Sequence, residues 1–171
     1  MRWSVVLGLL VAAPAAAEVR SSAPDAFVSE QVVTIDAPPE AVWTRMGDIG
    51  SWWDPAHSYS GRATNLSLDL DAHGCLCERL PGERGSVEHA HIVHLDRPRL
   101  LRLSGALGPL QAEAAVGTLT FALARQGADT KLTVTYVVGG NLRGKGVALA
   151  PAVDGVLAHQ VARLKAAAER R

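Results

Sequence analysis

The sequence predicts an α+β fold: a curved antiparallel sheet of about six to seven strands wrapped on a long C-terminal helix, with two short helices after the first strand. Three observations predict it. Apolar residues alternate with polar ones through the middle of the chain, from Leu66 to Val138. No helical stretch separates those runs, which argues against a parallel β-α-β sheet. Val153, Leu157, Val161, Leu164 and Ala168 then recur every three or four residues, the spacing of one helix face.

The elements follow in chain order. Arg2, an apolar run from Val5 to Ala13 and the small residues Ala15 to Ala17 have the three parts of a secretory signal peptide. Residues 1–17 are therefore expected to be removed. The run is shorter than the ~20 residues that cross a bilayer, so no stable membrane anchor is expected after cleavage. Export implies an oxidising compartment, most simply a bacterial periplasm. Residues 18–26 are small and polar and read as a flexible arm, and residues 27–171 as a single domain.

Phe27 to Asp36, with Val28, Val32, Val33 and Ile35, reads as the first strand. Pro38 and Pro39 suit the first turn of a helix, where a missing N–H loses no partner. Val42, Trp43 and Met46 follow at helical spacing, and Gly47 ends the run. Asp48 starts a second short helix that runs to Trp53 and stops at Pro55. Period-two runs come next, at Leu66–Leu70, Cys75–Glu78, Val87–His94, Leu101–Ser104, Thr118–Leu123 and Leu132–Val138. Regular alternation puts His89 and His91 on one face of their strand, with Glu88, Ala90 and Ile92 on the other. Gln126 to Asp129 reads as a hairpin loop, and Gly105 to Leu110 as a tight corner with an apolar lip.

The 171 residues include 17 Lys and Arg against 17 Asp and Glu. A balanced chain has no basic field, so no nucleic-acid partner is expected. Two cysteines cannot staple a small scaffold. Gly139 to Gly146 fits G-x-x-x-x-G-K, but Gly146 stands where a phosphate loop needs Ser or Thr. The segment reads as a turn, and no cofactor is expected.

Ile35-Asp36-Ala37-Pro38-Pro39-Glu40-Ala41-Val42-Trp43, the Trp52-Trp53 pair, five or more strands and a terminal amphipathic helix resemble the START/polyketide-cyclase superfamily, also called SRPBCC. The resemblance runs from Val28 to Ala168. It implies the helix-grip fold and a deep apolar cavity between sheet and long helix. Such cavities hold lipids, polyketides, hormones or other hydrophobic molecules. The family includes carriers, cyclase-like enzymes and a branch that activates a heat-shock ATPase. Secretion argues against that last branch, whose partner is cytosolic.

The expected function is a periplasmic carrier for a small hydrophobic molecule, the one partner the chain calls for. The expected wall is Trp43, Trp53, Leu103, Phe121, Tyr136, Val153, Leu157 and Val161, with His57, Tyr59, Cys77 and His89 as polar contacts. Trp52 to Tyr59 puts three aromatics within eight residues, a composition suited to a pocket mouth. A cyclase- or hydrolase-like enzyme is the first rival, using His57, Cys77, Glu78 or His89 for acid–base or thiol chemistry. The second rival is a metal or thiol site at Cys75, Cys77, His89 and His91, since thiolate and imidazole are common ligands. A regular strand sets alternate Cα atoms about 7 Å apart, so no Cys75–Cys77 disulfide is expected.

Overall fold

The computed structural model describes residues 16–82 and 84–170. The strands are β1 (Ala16–Ala23), β2 (Ala26–Ile35), β3 (Leu66–Leu68), β4 (Cys75–Arg79), β5 (Ser86–Asp96), β6 (Leu100–Gly105), β7 (Ala114–Gln126) and β8 (Asp129–Asn141). They form one antiparallel sheet in the order β1-β2-β8-β7-β6-β5-β4-β3. α1 (Pro39–Gly47) follows β2, and α2 (Gly146–Ala168) closes the chain. This is the helix-grip architecture that the sequence predicts, with eight strands rather than six or seven. The eighth is β1, which takes the place of most of the flexible arm expected at 18–26. It pairs with β2 and packs against α2. The proposed leader at 1–17 lies outside the described residues except for Ala16 and Ala17.

The second short helix is also corrected. Only Ile49–Ser51 is helical, as a single 3-10 turn, because Trp52 already leaves helical geometry. α1 forms as expected, with Pro39 in its first turn and Val42, Trp43 and Met46 buried. Gly127 takes the positive φ of the tight turn that joins β7 to β8.

α2 buries Ala150, Leu157, Gln160, Val161, Leu164 and Ala167 along one stripe. Pro151 lies inside this helix and has no N–H for the carbonyl one turn back. A polar pin fixes the helix on β2. Asp154 Oδ1 accepts the Ser29 hydroxyl at 2.6 Å and the Gln31 amide at 2.8 Å. Ser29 and Gln31 are buried, so each needs such a partner.

Tyr136 lies across Gly117. A Cβ at Gly117 would come within 2.2 Å of the ring. The Tyr136 hydroxyl donates to Gly105 O at 3.0 Å and accepts Leu107 N–H at 3.1 Å. The ring therefore holds the corner after β6. Burial pushes the phenol up to about 12.

The β4–β5 ladder is irregular. Leu76 pairs with Ala90 and Cys77 with Glu88, leaving His89 as an extra residue. This bulge turns His89 and Ala90 both inward and leaves His91 exposed, against the regular alternation expected. A strongly twisted strand also rises less per residue. The Cα atoms of Cys75 and Cys77 are 5.4 Å apart, and their sulfurs form a disulfide. The expectation of unbonded cysteines is thus overturned, because it assumed a regular strand.

Gly117→Ala should cost roughly 1–3 kcal/mol, the usual penalty for overpacking, read as a lower urea midpoint. An unchanged midpoint would show that Tyr136 is not seated on Gly117. Replacing both cysteines with Ser should cost only about 1–2 kcal/mol, because the closed loop is so short. A chain that unfolds on this change, or on mild reduction, would show that the bond holds more than its own loop.

Candidate functional site

A cavity of about 470 Å³ opens between the N-terminal half of α2 and the β3–β5 end of the sheet. Its wall comes from four places. α2 gives Leu149, Ala152, Val153, Val156 and Leu157, and the sheet gives Leu66, Leu76 and His89. The loop after α1 gives Trp53 and Ala56 to Tyr59, and the corner after β6 gives Leu107 to Leu110. The C-terminal half of α2 packs directly into the core, which is why the space does not extend along the whole helix.

Of the residues expected at this site, Trp53, His57, Tyr59, His89, Val153 and Leu157 stand in the wall. Trp43, Leu103, Phe121, Tyr136 and Val161 do not. They are buried in the core instead. Trp43 sits on the buried face of α1, and Tyr136 acts from behind the wall through Gly105 and Leu107. Cys77 is on the outward side of β4 and bonded to Cys75.

The disulfide removes the thiol nucleophile proposed for Cys77 and ties up both thiols of the proposed metal set. His91, the fourth member of that set, lies opposite Cys75 and meets Glu88 at 3.2 Å on the surface. Among the described residues, no group of three or more His, Cys, Asp or Glu side chains is placed to hold a metal ion.

Glu78 lies behind the wall and ties two of its residues, Tyr59 and His89, together. Its carboxylate is only 1% exposed. It accepts Tyr59 N–H at 3.1 Å, Ser60 N–H at 2.5 Å and His89 Nε2 at 2.9 Å. Burial pushes the carboxyl up, but these donors outweigh it and hold Glu78 below the usual carboxylate value. Tyr59 stacks on His89 with ring centroids 5.8 Å apart, and its hydroxyl donates to Gly108 O at 2.9 Å. Tyr59 thereby bridges the two loops at the cavity mouth, where it is half exposed.

The Trp53–His57 loop is tied to α2 by side chains. Gln160 Oε1 accepts Asp54 N–H at 2.9 Å, and Gln160 Nε2 lies 3.0 Å from His57 Nδ1. His159 meets Asp54 at 2.7 Å, and Arg163 donates to Trp52 O at 2.7 Å. Trp53 Nε1 donates to His57 O at 2.9 Å.

Sequence reasoning missed Gln160 and the apolar set at Leu149, Ala152 and Val156. The helical period does mark 149, 152, 153, 156 and 157 as one stripe, so that signal was present. The inward aim of His89 and Glu78 toward each other depends on the bulge, which leaves no local signature. The arginines near β6 have structural partners. Arg97 donates to Leu70 O at 2.8 Å, Arg99 pairs with Asp96, and Arg102 donates to Thr120.

A fold of one sheet gripping one long helix, with an apolar space between them, defines a class of hydrophobic-ligand-binding proteins. The chain belongs to the polyketide cyclase / dehydrase and lipid transport family, whose model matches residues 26–169. Solved structures share the fold at low identity. A putative uncharacterized protein from Rhizobium leguminosarum is 16% identical, with a TM-score of 0.58, covering 85% of this chain and 97% of that one. A protein from Arthrobacter aurescens is 16% identical, with a TM-score of 0.57 and coverage of 88% and 92%. Protein MLL2253 from Mesorhizobium loti is 12% identical, with a TM-score of 0.57 and coverage of 81% and 95%. A search of curated proteins finds no match to the chain.

Glu78→Gln should destabilise the chain by about 2–3 kcal/mol near neutral pH, because an amide is a poorer acceptor than an ionised carboxylate. Glu78 has a lowered pKa in the fold, so its contribution is present above the ordinary value of 4.5 and fades as pH falls through the folded value. The two chains should therefore converge in urea stability under acid. A gap that stays constant with pH would show that Glu78 is not ionised in the folded chain.

Proposed function

We propose that this chain is an exported carrier that holds a small hydrophobic molecule between its sheet and α2. The observation that carries the reading is the cavity of about 470 Å³, walled mainly by aliphatic side chains and met by only a few polar groups. Ligand sites of this kind run from roughly 300 to 1,000 Å³, largely apolar with sparse polar contacts. Membership of a family described by lipid transport supports the same reading. Residues 1–17 would direct the chain out of the cytoplasm, and the mature protein would begin at Glu18. The disulfide suits an oxidising compartment.

A catalytic version of this reading has one observation in its favour. Glu78 and His89 form a carboxylate–imidazole pair, with His89 in the cavity wall and Glu78 buried behind it. Such a pair can hold and return a proton on a bound molecule. In that version Glu78 positions the ring and His89 does the transfer, with no part for Cys77.

Native mass spectrometry of protein exported by a bacterial host tests the proposal. A chain that starts at Glu18 and carries one organic adduct is expected. Leu157→Trp fills the cavity and should abolish the adduct while shifting the thermal midpoint by only a few degrees. An adduct that survives in Leu157→Trp would place the ligand elsewhere, and a chain retained with Met1 in the cytoplasm would overturn export. A released mass that differs from the molecule supplied would favour the catalytic version.

A further inference from the structure

Two imidazoles in the cavity wall are held as defined tautomers by partners that can act in only one sense. At His57 the argument starts from Asp54. Its backbone N–H can only donate, and Gln160 Oε1 accepts it at 2.9 Å. The oxygen of that amide is thereby identified, so the atom 3.0 Å from His57 Nδ1 is the amide nitrogen. An amide nitrogen only donates. His57 Nδ1 therefore accepts, and the neutral ring carries its proton on Nε2.

His89 is fixed from the opposite side. Both oxygens of Glu78 accept backbone N–H groups, from Tyr59 and Ser60. The group 2.9 Å from Oε2 is His89 Nε2, which donates to the carboxylate. The lone pair of the neutral ring is then on Nδ1. The other polar side chains of the wall already give their hydrogens to backbone carbonyls. Tyr59 donates to Gly108 O, Ser58 to Pro55 O and Trp53 to His57 O. His57 Nε2 and His89 Nδ1 have no hydrogen-bond partner among the described residues, and both residues line the cavity, His89 buried in its wall and His57 exposed at its mouth.

We propose that the cavity selects its ligand by opposite polarities, with His57 presenting an N–H donor and His89 presenting a lone-pair acceptor. This rests on the cavity-binding reading above and names the class of molecule it admits. The ligand has an apolar body, a hydroxyl-type donor for His89 and a carbonyl-type acceptor for His57. A hydrocarbon would pair with neither ring nitrogen, and an ester without a hydroxyl would leave the nitrogen of buried His89 desolvated and unpaired. An unpaired polar atom in a binding site is what gives strong discrimination between analogues.

The test uses four diaryl probes of nearly equal size: 4-hydroxybenzophenone, its methyl ether 4-methoxybenzophenone, benzophenone and 4-benzylphenol. Titration calorimetry on the native chain should find 4-hydroxybenzophenone at least tenfold tighter than each of the others. His89→Phe should remove the preference for the hydroxyl, and His57→Phe the preference for the carbonyl. Should either variant fail to fold, the methyl ether and benzylphenol comparisons on the native chain decide alone. Two-bond ¹H–¹⁵N NMR should show both rings protonated at Nε2. Equal affinities across the four probes, or a His89 ring protonated at Nδ1, would overturn the polarity proposal and leave the carrier reading standing. No binding of any probe would overturn both.

Discussion

The buried carboxylate of Glu78 is the constraint on which the site depends. An ionised group with so little exposure is tolerable only when surrounded by donors. Those donors come from places far apart in the chain: the Tyr59 and Ser60 backbone and the His89 ring. Satisfying one side chain therefore folds the loop after α1 over the β4–β5 end of the sheet. That single demand brings Tyr59 to the mouth and His89 into the wall. It also makes the bulge at His89 necessary, since a regular strand would not turn both His89 and Ala90 inward.

The opposite wall is set by different contacts. α2 is pinned to β2 through Asp154, Ser29 and Gln31, and to the Trp53–His57 loop through Gln160. These polar links hold the helix in position on β1 and β2 without filling the space beside it. Tyr136, seated on Gly117, fixes the Gly105–Leu107 corner that forms the third side. The cavity exists because each of its walls is held from outside the space, by hydrogen bonds that do not depend on a ligand. Preorganisation of this kind lowers the ordering cost of binding.

Much of this fold was legible in the sequence, for reasons that can be named. Six period-two runs and the Val- and Ile-rich stretch at Phe27–Asp36 marked the strands, and the spacing from Val153 to Ala168 marked α2. β1 was missed because Glu18, Arg20, Ser21 and Ser22 are exposed, so an edge strand of this kind shows no apolar alternation. The site was read less well. Trp53, His57 and Tyr59 were legible as polar-tipped rings in a segment suited to a pocket mouth, and His89 as a polar contact from its His-rich strand. Trp43, Leu103 and Phe121 were equally apolar and inward, but nothing local distinguishes a residue facing a void from one facing a packed core. The Cys75–Cys77 bond and the Glu78–His89 pair were hidden because both depend on an irregularity in pairing, and pairing is a property of two strands together.

The central claim is that an open apolar space persists between the sheet and the first half of α2. A crystal structure of the ligand-free chain under xenon pressure tests this most directly, because xenon enters dry, apolar cavities. The account predicts xenon among Leu66, Leu76, Leu110 and Leu157. A structure in which α2 has closed onto the sheet, leaving no volume and no xenon at those side chains, would contradict it.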